Sequence, residues 1–465
     1  MNTIWKADEV DYILGSKSIN QWVAKGIQLD SRKVTKGDLF LAMPGTKYDG
    51  HFFLSEAFSK GAVAAVVSKF HKDDKKLDNL LKVESVPKAL QNLAKEARKR
   101  TSAKIIAVTG SVGKTGTKDM LQLALMSLGY SHASQKSFNN HVGVPLTLSN
   151  MSPLAKTAVI EMGMNQTGEI SEHTLIVRPH IAIITAVEEA HIENLKTLEE
   201  VAKAKAEIFQ GVSEEGAAII SRDASTYDIL IRSAQSKGIK NIISFGEHEE
   251  SDIRLLDYKE EINNSHIIAK FNNEIYNWDL KCLGKHWALN SLSVIGVAAA
   301  LKTNVKKLLY KLKNFSTPLK RGVVMKIKLP LGLIIVIDDT YNANPASMRA
   351  AFANLNLRKT EGRKILILGD MAELGSKSSF LHSQLAKDLH KTKIDLVFTA
   401  GEQMIHLFDA LDPKLRGIHA KESKSLSSKI LRYLKPKDTL LVKGSRSSKM
   451  EVVIDELLSN KSNLL

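Results

Sequence analysis

Ile105-Ile106-Ala107-Val108-Thr109-Gly110-Ser111-Val112-Gly113-Lys114-Thr115 decides how the rest of this chain is read. Four apolar, strand-like residues lead into a glycine-containing turn, and the turn opens a helical run through Lys118-Asp119-Met120-Leu121-Gln122-Leu123-Ala124-Leu125. Glycines allow a backbone to curl until several N–H groups point at one spot. The Lys114 ammonium adds a point charge there, and the Thr115 hydroxyl is suited to holding Mg²⁺. Strand, Gly-rich turn and Lys-Thr helix start together describe a cradle for nucleotide phosphates; the bland alternative is a βα turn that binds nothing. Val108 stands where the longer form of this loop carries glycine, so the motif is the short Thr-Gly-Ser-x-Gly-Lys-Thr variety.

Outward from the loop, strand-like and helical runs alternate. Thr157 to Met162 and Ile181 to Val187 are continuous apolar runs, the pattern of strands buried on both faces of a parallel sheet. Ala89 to Ala97 and Ala288 to Val294 read as helices. Before them, Asp38 to Ala42 and Ala62 to Val67 are short strands around a polar stretch from Pro44 to Gly50. After Pro318, four apolar runs end in turn residues: Leu333 to Ile337, Ile365 to Leu368, Leu396 to Thr399 and Leu440 to Lys443. The expected architecture is α/β with three blocks, residues 1–82, 83–314 and 315–465. Ligands belong at the carboxyl ends of the parallel strands.

Composition narrows the function classes. A length of 465 residues calls for several cores, and hydrophobic and charged fractions of 43% and 25% are those of a water-soluble protein. Cys282 is the single cysteine, so no internal disulfide forms, and a cytoplasmic setting is expected. The first residues lack the basic-then-apolar order of a signal peptide, and no apolar run spans a bilayer. The net charge of +16 raises a nucleic-acid partner. Yet the lysines are scattered among acids, with no aromatic-interleaved basic stripe, so solvated faces or attraction of a polyanionic small molecule are expected instead.

Three further residues bear on the cradle. Glu161 ends a buried strand, where an acid in a phosphate-loop enzyme reaches the metal held by the phosphates. In Leu198-Glu199-Glu200-Val201-Ala202-Lys203-Ala204-Lys205-Ala206-Glu207-Ile208-Phe209, Lys205 falls on the apolar stripe of Leu198, Val201 and Ala202, whereas Lys203 points away. Burial lowers a lysine's pKa, leaving a neutral amine able to pair, to snorkel or to form a carbamate with CO₂. His191, in Ala190-His191-Ile192-Glu193, is open between ligand and loop.

These stretches, with Asp30-Ser31-Arg32-Lys33-Val34, Asn139-Asn140, Gly143-Val144-Pro145, Gly284-Lys285-His286, Asp339-Thr340-Tyr341-Asn342-Ala343-Asn344-Pro345, Gly369-Asp370-Met371-Ala372-Glu373-Leu374-Gly375 and Lys443-Gly444-Ser445-Arg446, resemble the Mur ligase family. These are ATP-dependent amide-forming enzymes of peptidoglycan precursor synthesis. Tyr-Asn-Ala-Asn-Pro and Gly-Asp-Met-Ala-Glu-Leu-Gly are similar to the members that add a dipeptide. The resemblance implies a small N-terminal domain for a UDP-sugar, a central phosphate-loop ATPase with a mainly parallel sheet, and a C-terminal Rossmann-like domain. It implies UDP-N-acetylmuramoyl-tripeptide, D-alanyl-D-alanine and ATP as substrates; the protein is expected to be a monomer. It also implies Mg²⁺, two ions in all, on Thr115, Glu161, His191 and a carbamylated Lys205. Lys114, Lys205 and His191 would serve catalysis. Thr109, Gly110, Ser111, Val112, Gly113, Lys114, Thr115, Asn290, Arg321, Asp339 and Tyr341 would hold ATP, and Ser31, Arg32, Asn139 and Asn344 the other substrates. His141, Gln166, Glu188 and Glu189 depart from the residues common at those places in the family. A diamino-acid-adding or polyglutamate-forming relative, and a basic ATPase acting on nucleic acid, are the alternatives.

Overall fold

Three substantial sheets, each with helices against it, make up the computed structural model, which describes residues 3–460 apart from 46, 47, 72, 73, 75, 136, 189–194, 196, 262, 263 and 331. The first sheet has four parallel strands, Gly26–Gln28, Asp38–Leu41, Ala64–Val67 and Leu80–Lys82. Leu39, Leu41 and Val66 pack on one face with Trp5; Phe40, Ala65 and Val67 pack on the other with Leu54 and Ala57. The helix Val86–Lys99, capped by Ser85 and carrying Pro87 in its first turn, completes the first of these cores with Val86, Leu90 and Leu93. Its Ala94 instead joins the core of the next sheet, so this helix ties the two units together.

The central sheet has nine strands. Ser131–Ala133, Thr157–Glu161, Lys104–Thr109, Ile181–Ile184, Ala217–Ser221 and Asn241–Gly246 lie side by side in parallel, and Ile253–Glu260 joins them in the same sense. Strand Lys104–Thr109 is apolar throughout its core because both faces are covered. Ile106 and Val108 enter one hydrophobic cluster, Ile105 and Ala107 the other. From this strand the chain first builds to one side, then crosses to the other with Ile181–Ile184. The phosphate-loop sequence therefore leaves the sheet at its topological switch point, where open α/β sheets bind ligands.

Beyond Ile253 the sheet turns antiparallel, through Ser265–Phe271 and Glu274–Leu280, strands that the sequence reading did not anticipate. In the last of these Tyr276, Trp278 and Leu280 are buried while the residues between them face out. Such one-sided strands lack the long apolar runs that mark Lys104–Thr109, Thr157–Glu161 and Ile181–Ile184; Ser131–Ala133, Ala217–Ser221 and Asn241–Gly246 are likewise beyond the sequence expectation. The C-terminal sheet runs Val323–Leu329, Gly332–Asp339, Thr439–Lys443, Lys364–Gly369, Leu396–Ala400 and Arg416–Ala420, with only the first strand antiparallel. Its four inner strands are those expected. The two edge strands were missed for the same reason, their residues being only partly buried. Among the described residues no helix is long and apolar enough to cross a membrane.

Candidate active site

The helix Lys114–Leu125 starts at the lysine of the motif, with Gly113 before it at φ +86° and no side chain capping its first turn. A side chain at Gly113 would be strained by that φ, and its Cβ would lie 2.8 Å from Oδ1 of the buried Asn290. Residues 110–113 are fastened from the neighbouring strand end. Thr185 Oγ1 donates to Val112 O at 2.6 Å, Ser111 N donates to Ala186 O at 2.8 Å, and Ser111 Oγ bonds the Glu188 backbone at both N and O, each at 3.0 Å. Lys114 Nζ folds over the loop and donates to Gly110 O at 2.6 Å. Burial lowers the Lys114 pKa; the Glu161 charge opposes that shift and the Arg321 charge reinforces it.

Glu161, 1% exposed, lies across the ladder from Val108 at the root of the loop. Its Oε1 accepts from Asn139 Nδ2 at 2.7 Å, while Oε2 is buried with no partner. A buried carboxylate oxygen left unsatisfied is costly, and a divalent cation with oxygen preference satisfies it, so this donor fits Mg²⁺. Lys205 is also only 1% exposed, and its Nζ has no hydrogen-bond or ion-pair partner among the described residues. Its pKa falls well below that of a free lysine, chiefly from burial and further from the nearby Lys114 charge. The helix Leu198–Ala206 that carries it buries Val201 and Ala202 beside it, as the stripe predicts. His191, expected as a ligand, lies outside the described residues, as does Glu189. Among the described residues no cluster of three His, Cys, Asp or Glu side chains could hold a metal.

The C-terminal unit contacts the phosphate loop and the segment before Asn139. Arg321 Nη2 donates to Thr115 Oγ1 at 3.1 Å while its guanidinium lies 3.9 Å from the centre of the Tyr341 ring. The Tyr341 hydroxyl in turn hydrogen-bonds Ser137 of the central unit, a residue that nothing in the sequence singled out. Asp339 Oδ2 accepts from the buried Lys443 Nζ at 2.8 Å, and Lys443 also holds Asn342 O at 2.9 Å. Lys443 was missed as a site residue, although a lysine ending the apolar run Leu440-Leu441-Val442 is the same kind of signal that marked Glu161.

Two expected substrate contacts have internal partners. Asn344 caps the helix Pro345–Leu357 in a reciprocal box, with Oδ1 accepting from Ser347 N at 2.8 Å and its own N–H donating to Ser347 Oγ at 3.0 Å. Asn344→Ala is therefore expected to reduce stability by about 1 kcal/mol, seen as an earlier midpoint in denaturant unfolding; an unmoved midpoint would contradict the cap. On the first sheet, Ser31 Oγ donates to Glu56 Oε2 at 2.6 Å, and the exposed Arg32 is paired with Asp30, whose carboxyl it holds down at about 2. Neither is linked to the phosphate loop by a hydrogen bond or ion pair among the described residues. Contacts thus link Thr109 to Thr115 with Glu161, Asn139, Asn290, Arg321 and Tyr341, and the Lys114 charge reaches Lys205.

Comparison with known proteins agrees along the whole chain. Residues 23–98 match the model of the Mur ligase family catalytic domain, 108–298 the Mur ligase middle domain, and 327–446 the Mur ligase glutamate ligase domain. The UDP-N-acetylmuramoyl-tripeptide–D-alanyl-D-alanine ligase of Rickettsia prowazekii is 33% identical over 97% of this chain and 99% of its own length. The crystal structure of MurF from Acinetobacter baumannii superposes with a TM-score of 0.85 at 27% identity, covering 98% of this chain and 99% of that one. MurF from Thermotoga maritima in complex with ADP superposes at 0.78 and 26% identity, covering 94% and 97%. With three domain models matched in order around a phosphate loop at the switch point, the chain belongs to the Mur ligase family.

Proposed function

We propose that this chain uses ATP to join D-alanyl-D-alanine to UDP-N-acetylmuramoyl-tripeptide, in the cytoplasm and as a monomer. The observation that carries the reading is the near end-to-end similarity to ligases of that name. Residues 1–82, 83–314 and 315–465 are taken as the sugar-nucleotide, ATP and dipeptide units.

The chemistry follows from the difficulty of the bond. A carboxylate does not acylate an amine in water because oxide is a poor leaving group. Transfer of the γ-phosphoryl group to the tripeptide's terminal carboxylate makes an acyl phosphate. The dipeptide amine then attacks the carbonyl carbon, and the tetrahedral intermediate expels phosphate. Lys114 exchanges Gly110 O for phosphate oxygens and offsets charge that builds during transfer. Asn290 and Arg321 flank the nucleotide, and Tyr341 keeps the Arg321 plane in place. Thr115, Glu161, His191 and Lys205 as its carbamate would hold Mg²⁺, which would offset the negative charge that phosphoryl transfer develops. The contacts from Arg321 and Tyr341 shield the acyl phosphate from water.

Phosphate release tests the reading. It is expected only when the tripeptide nucleotide, D-alanyl-D-alanine and ATP are present together. Equal release with a diamino acid or glutamate in place of the dipeptide, or stimulation by DNA or RNA, would replace it with one of the alternatives.

A further inference from the structure

Glu161 is held at more than one point, and the way it is held separates its two oxygens. Its backbone N–H donates to Ser134 Oγ at 3.0 Å, and the Ser134 carbonyl accepts from the buried Lys118 Nζ at 2.9 Å, one helical turn beyond Lys114. Asn139 Nδ2 then occupies Oε1 at 2.7 Å and leaves Oε2 buried and unpartnered. The Asn139 amide itself sits in space that a side chain would fill. A Cβ on Gly163 would come 2.8 Å from Asn139 Oδ1 and 2.9 Å from its Cγ, and Gly163 N donates to Asn139 O at 2.8 Å.

We propose that Asn139 is a positioning residue for the metal site: it binds one oxygen of Glu161 so that the other is presented to the divalent cation, and Gly163 is the position whose lack of a side chain admits the amide. This goes beyond the substrate contact implied for Asn139 by resemblance, and it rests on the reading of Glu161 as a cation ligand. An unpinned carboxylate rotates about its last bond and can spend both oxygens on nearby donors such as Lys114. Partners that orient a ligand in this way contribute about 10- to 100-fold in metal affinity.

The test is Mn²⁺ binding to the full-length protein with ADP, followed by the loss of free Mn²⁺ signal in electron paramagnetic resonance. Metal-free ADP affinity is measured in parallel with chelator present. Asn139→Ala is expected to weaken Mn²⁺ binding by about 10- to 100-fold while metal-free ADP affinity stays within twofold. In a Glu161→Gln background it is expected to have no further effect. Gly163→Ala, which displaces the amide without removing it, is expected to weaken Mn²⁺ in the same direction and carries the test if Asn139→Ala does not fold. Wild-type Mn²⁺ affinity in Asn139→Ala, or an undiminished effect in the Glu161→Gln background, overturns the proposal. If Glu161→Gln alone leaves Mn²⁺ affinity unchanged, it is the cation reading of Glu161 that fails.

Discussion

Lys114→Ala is expected to fold normally and to lose ADP formation by about three orders of magnitude, the scale of removing one preorganised charge or donor from a developing oxyanion. The fold should survive because the Nζ atom contributes only local bonds, to Gly110 O at 2.6 Å and Ser111 O at 3.4 Å. The loop itself is held by Thr185, Ala186 and Glu188 through bonds that the substitution does not touch. The loss should fall on kcat more than on nucleotide affinity, since the lysine's charge matters most where negative charge builds up. Stopped turnover with ADP binding retained, measured by fluorescence titration and phosphate release, is the expected pair of results. Turnover within tenfold of wild type would mean that the phosphates lie elsewhere.

That expectation could be reached from eleven residues because a strand buried on both faces, a glycine turn and a helix start are all local. Each is written in nearest neighbours, and Ile105 to Thr115 contains all three. Lys205 was legible for a related reason: helix periodicity placed it on a stripe with Val201 and Ala202, and those residues are buried together. The contacts that close the site are different. Ser137 and Tyr341 are more than two hundred positions apart, and so are Thr115 and Arg321. No spacing rule reaches across separate sheets, so only the resemblance pointed to Arg321 and Tyr341, and nothing pointed to Ser137. Asn344 carries a second, local signal. Asn followed by Pro at the start of a helix is a local capping signal, and Asn344 caps the helix Pro345–Leu357. The antiparallel strands between Ile253 and Leu280 were lost because exposed faces interrupt their apolar runs, and burial on one side is a weaker sign than burial on two.

Lys205→Ala is expected to reduce turnover by about a hundredfold or more, the several kcal/mol attached to correct metal placement, and to recover part of it in formate or acetate. A buried lysine without a described partner, close enough to Lys114 for the two charges to repel, is poorly placed as a cation, and its pKa is depressed accordingly. The neutral amine has a free lone pair. Attack on CO₂ forms an N–C bond, moves one C=O electron pair onto oxygen and releases the nitrogen's proton, giving a carbamate. The charge changes sign, so repulsion from Lys114 becomes attraction and a second anionic donor joins Glu161. A short carboxylate carries the same two oxygens without the tether, which is why it should restore some activity to the alanine variant and none to Lys114→Ala. Two results would remove the carbamate: wild-type rates in Lys205→Ala without added acid, or a wild-type rate that persists through exhaustive removal of CO₂ and bicarbonate. Lys205→Glu supplies a fixed carboxylate too short to reach the same point, so it should fall between Lys205→Ala and the rescued enzyme and be insensitive to CO₂.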